Sequence, residues 1–228
     1  MTDTWSFSVG HHAIAILAMA LVVVASNYLV QFPVEYFIGN VNLADTLTWG
    51  AFTYPIAFLV TDLTNRRFGP HAARRVVMSG FALAIVVPLL FWTLDEAFTT
   101  PRILIASGTA FLVAQLLDVT IFDRLRRMTW WKAPIASSLI GSVIDTVLFF
   151  GIAFAASFAF IDMFFGMDDG SLAFPVPFLG IGGDVQTSLW ISLAAGDFLV
   201  KMLVAVALLA PYRIILSIFQ PTPDGSAA

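Results

Sequence analysis

Six apolar runs, each long enough to cross a bilayer and separated by short polar connections, constrain this chain more than any other feature. A crossing helix needs about 20 mostly apolar residues at about 1.5 Å of rise each. The runs fall at residues 12–32, 46–63, 75–92, 101–122, 133–160 and 187–216. The expected fold class is all-α, a polytopic six-transmembrane-helix bundle. It should occupy residues 1–220 as a single transmembrane domain, with a disordered polar tail at 221–228. The fifth and sixth runs exceed the minimum, so tilting, kinking or extension past the bilayer is expected of them. Composition disfavours a soluble core: 59% of the 228 residues are hydrophobic and 11% charged, against about 25% charged in soluble domains.

The connections sort by sign. Arg66, Arg67, Arg74 and Arg75 lie between the second and third runs, and Arg124, Arg126, Arg127 and Lys132 between the fourth and fifth. Arg213 sits near the end of the sixth. The other connections hold Glu35, Asp45, Asp95, Glu96, Asp162, Asp168, Asp169 and Asp184, with Arg102 their one base. Short loops rich in Lys and Arg stay cytoplasmic, so both termini are expected inside, in a cell inner (cytoplasmic) membrane. Trp92, Trp130, Trp131 and Trp190 lie near run boundaries, as interfacial anchors do. The first run reads as a span and not a cleaved leader. No Lys or Arg precedes it, and Asn27 and Gln31 follow within helical reach, although Val24-Ala25-Ser26 weakly resembles a cleavage site. Residues 166–184, rich in Gly and Pro yet apolar, read as a structured external loop.

Catalytic chemistry finds little support. The chain has no cysteine, and His11, His12 and His71 all lie outside the long apolar interiors. No metal-ligand spacing and no phosphate-binding glycine loop occurs, so neither catalytic residue, metal nor cofactor is expected. The polar residues inside the runs are more telling. A charge at mid-membrane costs roughly 2.5–3.5 kcal/mol on insertion scales, and Asp145, Asp197 and Lys201 are all deep. Asp197 and Lys201 stand four apart on one helical face and can pair. Ser138, Ser142 and Asp145 form a stripe on the fifth run, Gln115 and Asp118 on the fourth, and Asn27 and Gln31 on the first. Thr61 and Asp62 close the second, preceded by Trp49, Phe52 and Tyr54. The third run is apolar apart from Ser79 and offers a face to lipid or to a second copy in a homodimer. Similar sequences around Asp62 and Asp118 hint at a duplicated hairpin.

Each feature also has a plain structural reading. Serine and threonine in membrane helices often serve as interhelical glue worth about 0.6 kcal/mol per bond. Asp62 and Asp118 can be helix-end carboxylates paired with Arg66, Arg67 or Arg124, and Asp197–Lys201 a structural ion pair. Asp145 has no cation three or four residues away, so it needs a tertiary partner, a proton or a ligand. A binding cavity lined by aromatics and amides accounts best for the set.

The motifs Ser26-Asn27-Tyr28-Leu29-Val30-Gln31-Phe32-Pro33 and Thr48-Trp49-Gly50-Ala51-Phe52-Thr53-Tyr54-Pro55 resemble the queuosine precursor transporter family (YhhQ-type). The resemblance continues through Val60-Thr61-Asp62-Leu63-Thr64, Gln115-Leu116-Leu117-Asp118-Val119, Trp130-Trp131 and Gly141-Ser142-Val143-Ile144-Asp145-Thr146. It ends at Asp197-Phe198-Leu199-Val200-Lys201. At Ser142 the family more often carries Asn.

The resemblance implies import of 7-cyano-7-deazaguanine (preQ0), and of its aminomethyl relative preQ1, for queuosine synthesis in tRNA. A guanine-like edge offers two donors to one carboxylate, which Asp145 or Asp118 could supply. Asn27 and Gln115 suit the carbonyl or nitrile, and Trp49, Phe52 or Tyr54 could stack on the bicycle. The candidate substrate-binding set is thus Asn27, Gln31, Trp49, Phe52, Tyr54, Asp62, Gln115, Asp118 and Asp145, with Asp197 and Lys201 as the candidate coupling pair. The expected partners are a small-molecule deazapurine and the lipid bilayer, with no nucleic acid. Competing readings are the substrate-binding subunit of an energy-coupling-factor importer, which requires a separate ATPase module, and a structural or assembly membrane protein.

Overall fold

A computed structural model describes residues 3–30, 32–38, 41–43, 47–94, 99–181 and 185–219. Five helices in it are long and apolar enough to cross a membrane. They are α1 (Asp3–Leu29), α4 (Pro70–Leu94), α5 (Pro101–Leu125), α6 (Lys132–Phe154) and α8 (Leu189–Phe219). The protein is an all-α, multi-pass membrane protein. Its outward faces stay apolar, with Leu203 and Ile218 each 72% exposed, as lipid-facing positions should. Gln31, Asp45, Asp95, Glu96, Asp184 and the tail at 221–228 lie outside the described residues.

The second run departs from expectation. In place of a continuous span it forms a four-residue helix α2 (Gly50–Thr53) and a longer α3 (Ile56–Phe68). Pro55 causes the interruption. It has no N–H to offer the Ala51 carbonyl, and the next amides bond only three residues back, Ala57 to Tyr54 O at 3.0 Å and Phe58 to Pro55 O at 3.1 Å. Such breaks persist at membrane depth where protein or a cavity surrounds them. Here α3 packs against α1, α4, α5, α6 and α8. In place of six continuous crossing helices there are five, with one broken segment packed among them.

The fifth run is shorter than expected. α6 stops at Phe154, Ala155 turns extended, and a 3-10 turn (Ala156–Phe158) leads into α7 (Ala159–Phe164). Arg102 holds this break. Its side chain is 1% exposed, donates from Nε to Ile152 O at 2.8 Å and from Nη2 to Ala155 O, and pairs through Nη1 with Asp162 Oδ2 at 2.7 Å. Ser171 Oγ accepts from the same Nη1 at 3.1 Å. Beyond it, a short antiparallel pair joins β3 (Pro175–Pro177) to β4 (Gln186–Ser188). A second pair, β1 (Phe37–Ile38) with β2 (Val41–Asn42), lies after α1.

Close helix contacts rest on small residues, as expected where lipid supplies no hydrophobic drive between helices. A Cβ on Gly80 of α4 would meet Met19 Cγ at 2.7 Å and Phe111 Cζ at 3.0 Å. One on Gly141 of α6 would meet Phe58 Cε1 at 2.9 Å. The interior formed by α1, α3, α4 and α5 centres on Met19, Val23, Ala57, Val76, Val77 and Phe111. Gly69 alone joins α3 to α4. Its φ of 84° suits glycine, and Pro70 starts the next helix without losing a bonded N–H.

Candidate functional site

A cavity of about 460 Å³ opens among α1, α2, α4, α5, α6 and α8, within the range of small-molecule sites. Val23, Ser26 and Asn27 line it from α1, Gly50 and Ala51 from α2, and Tyr54 from the break. Phe111 faces it from α5, and Phe149, Phe150 and Phe154 from α6. Thr48, Thr99 and Phe154 put it at the end of the bundle that carries the acidic connections. A narrower slot of about 20 Å³ continues toward the basic end, lined by Pro55, Phe58, Asp62, Ser138, Ser142 and Tyr212.

A charged cluster separates the two spaces. Lys201 Nζ lies 2.7 Å from Asp145 Oδ2 and 2.5 Å from Asp197 Oδ2. Tyr54 OH donates to Asp145 Oδ1 at 2.8 Å, and Thr146 Oγ1 donates to Asp197 Oδ2 at 3.0 Å. The ammonium also sits 5.2 Å from the Tyr54 ring centroid. Chain order explains the position. Along α6, Ser142 faces the slot and Asp145 the cavity; along α8, Lys201 faces the cavity and Ala205 the slot; across the break, Tyr54 belongs to the cavity and Pro55 to the slot.

Two carboxylates against one ammonium leave a formal charge of one negative in a buried place. Buried charges stay tolerable only when paired and fully hydrogen-bonded, and Asp145, 3% exposed, meets that condition through both oxygens. Asp197 does not. Its Oδ2 takes both contacts, no hydrogen bond reaches Oδ1 among the described residues, and at 14% exposure its side chain borders the cavity.

The tertiary partner that Asp145 requires is thus Lys201, 56 residues away in sequence. The helical pairing of Asp197 with Lys201 is also present. Asn27 reaches the cavity and donates from Nδ2 to Val23 O at 2.8 Å. Trp49 and Phe52 lie outside the cavity lining, with ring centroids 5.7 Å apart and Trp49 half exposed.

Gln115 and Asp118 are fully buried between α5 and α3, away from the cavity. Thr61 donates to Gln115 Oε1 at 2.7 Å and Asn65 to Val119 O at 2.9 Å, each pair 54 residues apart. A constant offset means α3 and α5 run parallel and in register. Neither Asp62 nor Asp118 forms an ion pair with an arginine among the described residues. Arg66 turns instead to the backbone, donating to Arg126 O at 3.0 Å, with its guanidinium 5.4 Å from the Phe122 ring centroid.

The aromatic wall of Phe149, Phe150 and Phe154 was absent from the sequence expectations. Its signal was there: Phe149 stands one helical turn beyond Asp145 on the same face.

Comparison with known proteins places this chain in a family. Residues 48–215 match the family model described as "Putative vitamin uptake transporter". The chain belongs to this family. Within it, the chain is 42% identical over 151 residues to the queuosine precursor transporter of Escherichia coli, covering 59% of this chain and 64% of that protein. It is 37% identical over 191 residues to a probable queuosine precursor transporter of Haemophilus influenzae, covering 70% and 81%. A probable queuosine precursor transporter of Bacillus subtilis is 29% identical over 130 residues, covering 48% and 57%. The match thus spans somewhat under two thirds of the Escherichia coli protein. These relatives are named as transporters, not enzymes. No solved structure matches the chain.

Proposed function

We propose that this protein imports the queuosine precursor preQ0, and preQ1 as a second cargo, across the inner membrane by alternating access. The observation that carries the reading is the cavity whose floor is the Asp145–Lys201–Asp197 cluster and whose wall is aromatic. The names of the relatives supply the cargo class.

The chemistry suits a deazaguanine. Its N1–H and exocyclic amine present adjacent donors, and a carboxylate accepts such a pair with charge assistance. Asp197, with Oδ1 taking no hydrogen bond among the described residues, fits that role better than Asp145, whose oxygens are both engaged. Phe149, Phe150 and Phe111 offer π faces to a flat bicycle, worth about 1–3 kcal/mol per stacked base in nucleic-acid proteins. Asn27 provides amide contacts on the opposite wall.

The basic connections favour a cytoplasmic slot end, and in this reading the cavity faces outward. The charged cluster and Phe58 below it then form the closed inner half of the pathway. Movement of the broken second segment against α6 and α8 would open the slot as the cavity closes.

Uptake of labelled preQ0 into cells unable to make it, with and without this gene, tests the reading. Accumulation only with the gene is expected, and equal labelling in both overturns it. Transport by the purified protein alone in liposomes separates it from a subunit that depends on an ATPase module.

A further inference from the structure

The cargo reading leaves two of the most deeply buried acids in the molecule unused. Asp62 on α3 is 2% exposed and Asp118 on α5 is fully buried. The parallel register of α3 and α5 sets Asp62 and Asp118 near one another across the two helices, with Ser137 of α6 beside Asp62. Ser137 Oγ lies 3.4 Å from Asp62 Oδ1, and neither oxygen of Asp118 has a hydrogen-bond partner among the described residues. The charged or titratable groups facing the pair are Arg66 on α3 and Tyr212 on α8, while α6 contributes Ser137 and Ser138. Arg66 donates from Nη1 to Arg126 O at 3.0 Å and from Nη2 to Trp130 O at 3.5 Å, and its Nε has no hydrogen-bond partner among the described residues. One guanidinium does not neutralise two buried acids.

A second observation points to what occupies this place. Asp62 borders the slot of about 20 Å³, together with Ser138, Ser142 and Tyr212. Tyr212 is 1% exposed, and its hydroxyl has no hydrogen-bond partner among the described residues. The slot is large enough for a single water and has the polar partners a water needs.

We infer that Asp62 and Asp118 form a proton-binding site, reached through the slot beside Tyr212, whose protonation is coupled to cargo movement. The inference rests on the import reading for its role, though not for the site itself. Two carboxylates sharing a desolvated site do not both ionise readily, and they titrate as a pair. In the protonated state one carboxylic O–H donates to the other carboxylate, leaving one negative charge between them. Opening the slot to the cytoplasm hydrates the pair, and the proton leaves to water as the second carboxylate forms. The two acids lie on different helices, so ionisation of both drives α3 and α5 apart. α3 continues across the Pro55 break into the wall of the cargo cavity. The Asp145–Lys201–Asp197 cluster, with its own resident cation, remains available to hold cargo.

The test uses purified full-length protein, D62N and D118N. Infrared spectroscopy at neutral pH should show a protonated-carboxyl band in the wild type that disappears in both variants. That band is independent of cargo. In proteoliposomes, an imposed inward proton gradient should raise preQ0 accumulation by the wild type several-fold over the no-gradient level. D62N and D118N should lose that gain yet keep preQ0 counterflow, which needs binding and reorientation but no net proton transfer. A wild type without the band, or with a band that survives both substitutions, overturns the proton site. Variants that still accumulate cargo with the gradient overturn its coupling. A wild type with the band but no preQ0 counterflow overturns the cargo reading and leaves the proton site standing.

Discussion

Lys201 and Asp145 meet across two helices, Nζ to Oδ2 at 2.7 Å, and each is at least 95% buried. The same ammonium holds Asp197 one turn back on its own helix, so a single side chain neutralises charge contributed by both α6 and α8. Everything else in the cavity floor depends on this arrangement.

Lys201→Met should therefore do more than remove a contact. It strands two buried carboxylates, and breaking a buried pair on one side costs about 3–5 kcal/mol. Thermal unfolding in detergent should show a marked drop for Lys201→Met, and a smaller one when Asp145→Asn is added, because the double variant carries one uncompensated acid fewer. A double variant no more stable than the single would show that the pair contributes little.

Tyr54→Phe keeps the ring beneath the ammonium and deletes only the hydroxyl that donates to Asp145. A hydrogen bond to a charged acceptor is worth about 1.5–3 kcal/mol. The expected outcome is a folded protein of lower melting temperature and weaker cargo binding, read side by side in a ligand-induced thermal-shift series.

Arg102 is the counterpart on the acidic-loop face. Arg102→Lys keeps the charge but not the planar fork that reaches Asp162, Ser171 and two backbone carbonyls. It should loosen the segment after α6, and limited proteolysis should cut within residues 155–181 faster than in the wild type. Hydrogen bonds from Ser171 hold the Asp169 carboxyl below the usual carboxylate range, helped by the Arg102 charge. Above the ordinary carboxylate pKa Asp169 therefore favours the folded loop. That contribution fades as pH falls through its lowered value, so Asp169→Asn should matter at neutral pH and not in strong acid.

Two glycine substitutions should separate tight from open backbone. A Cβ on Gly50 would stand 2.9 Å from Val30 Cα, a backbone atom that cannot yield alone, so Gly50→Ala should displace α2 and reduce uptake. At Gly151, inside α6, an added methyl would find nothing within 4 Å. There Gly151→Ala should raise helix stability by roughly 0.5–1 kcal/mol, seen as a modest increase in melting temperature with uptake unchanged.

How far these features could be read from the chain depended on their range. Hydropathy located five continuous helices, because burial in lipid acts on every residue of a span alike. The Asp197–Lys201 pairing was legible because four residues make one helical turn. Asp145 announced a missing partner but could not name it, since Lys201 reaches it only through the packing of α6 on α8. Trp49 and Phe52 looked like stacking residues by type, yet Trp49 precedes the four-residue α2, Phe52 lies within it, and neither lines the cavity. The second run broke at Pro55, a residue membrane helices often absorb; only its central position, packed on all sides, allowed the break to persist.

That break has a consequence for how this protein responds to mutation. Pro55 leaves the Ala51 carbonyl without its helical donor, and Ala51 lines the cavity. A main-chain oxygen is common to all twenty amino acids, so replacing the side chain at position 51 leaves this acceptor in place. Side-chain scanning is blind to any grip it has on cargo, and the informative substitution is four residues away: Pro55→Ala restores an N–H that can reclaim the oxygen for the helix.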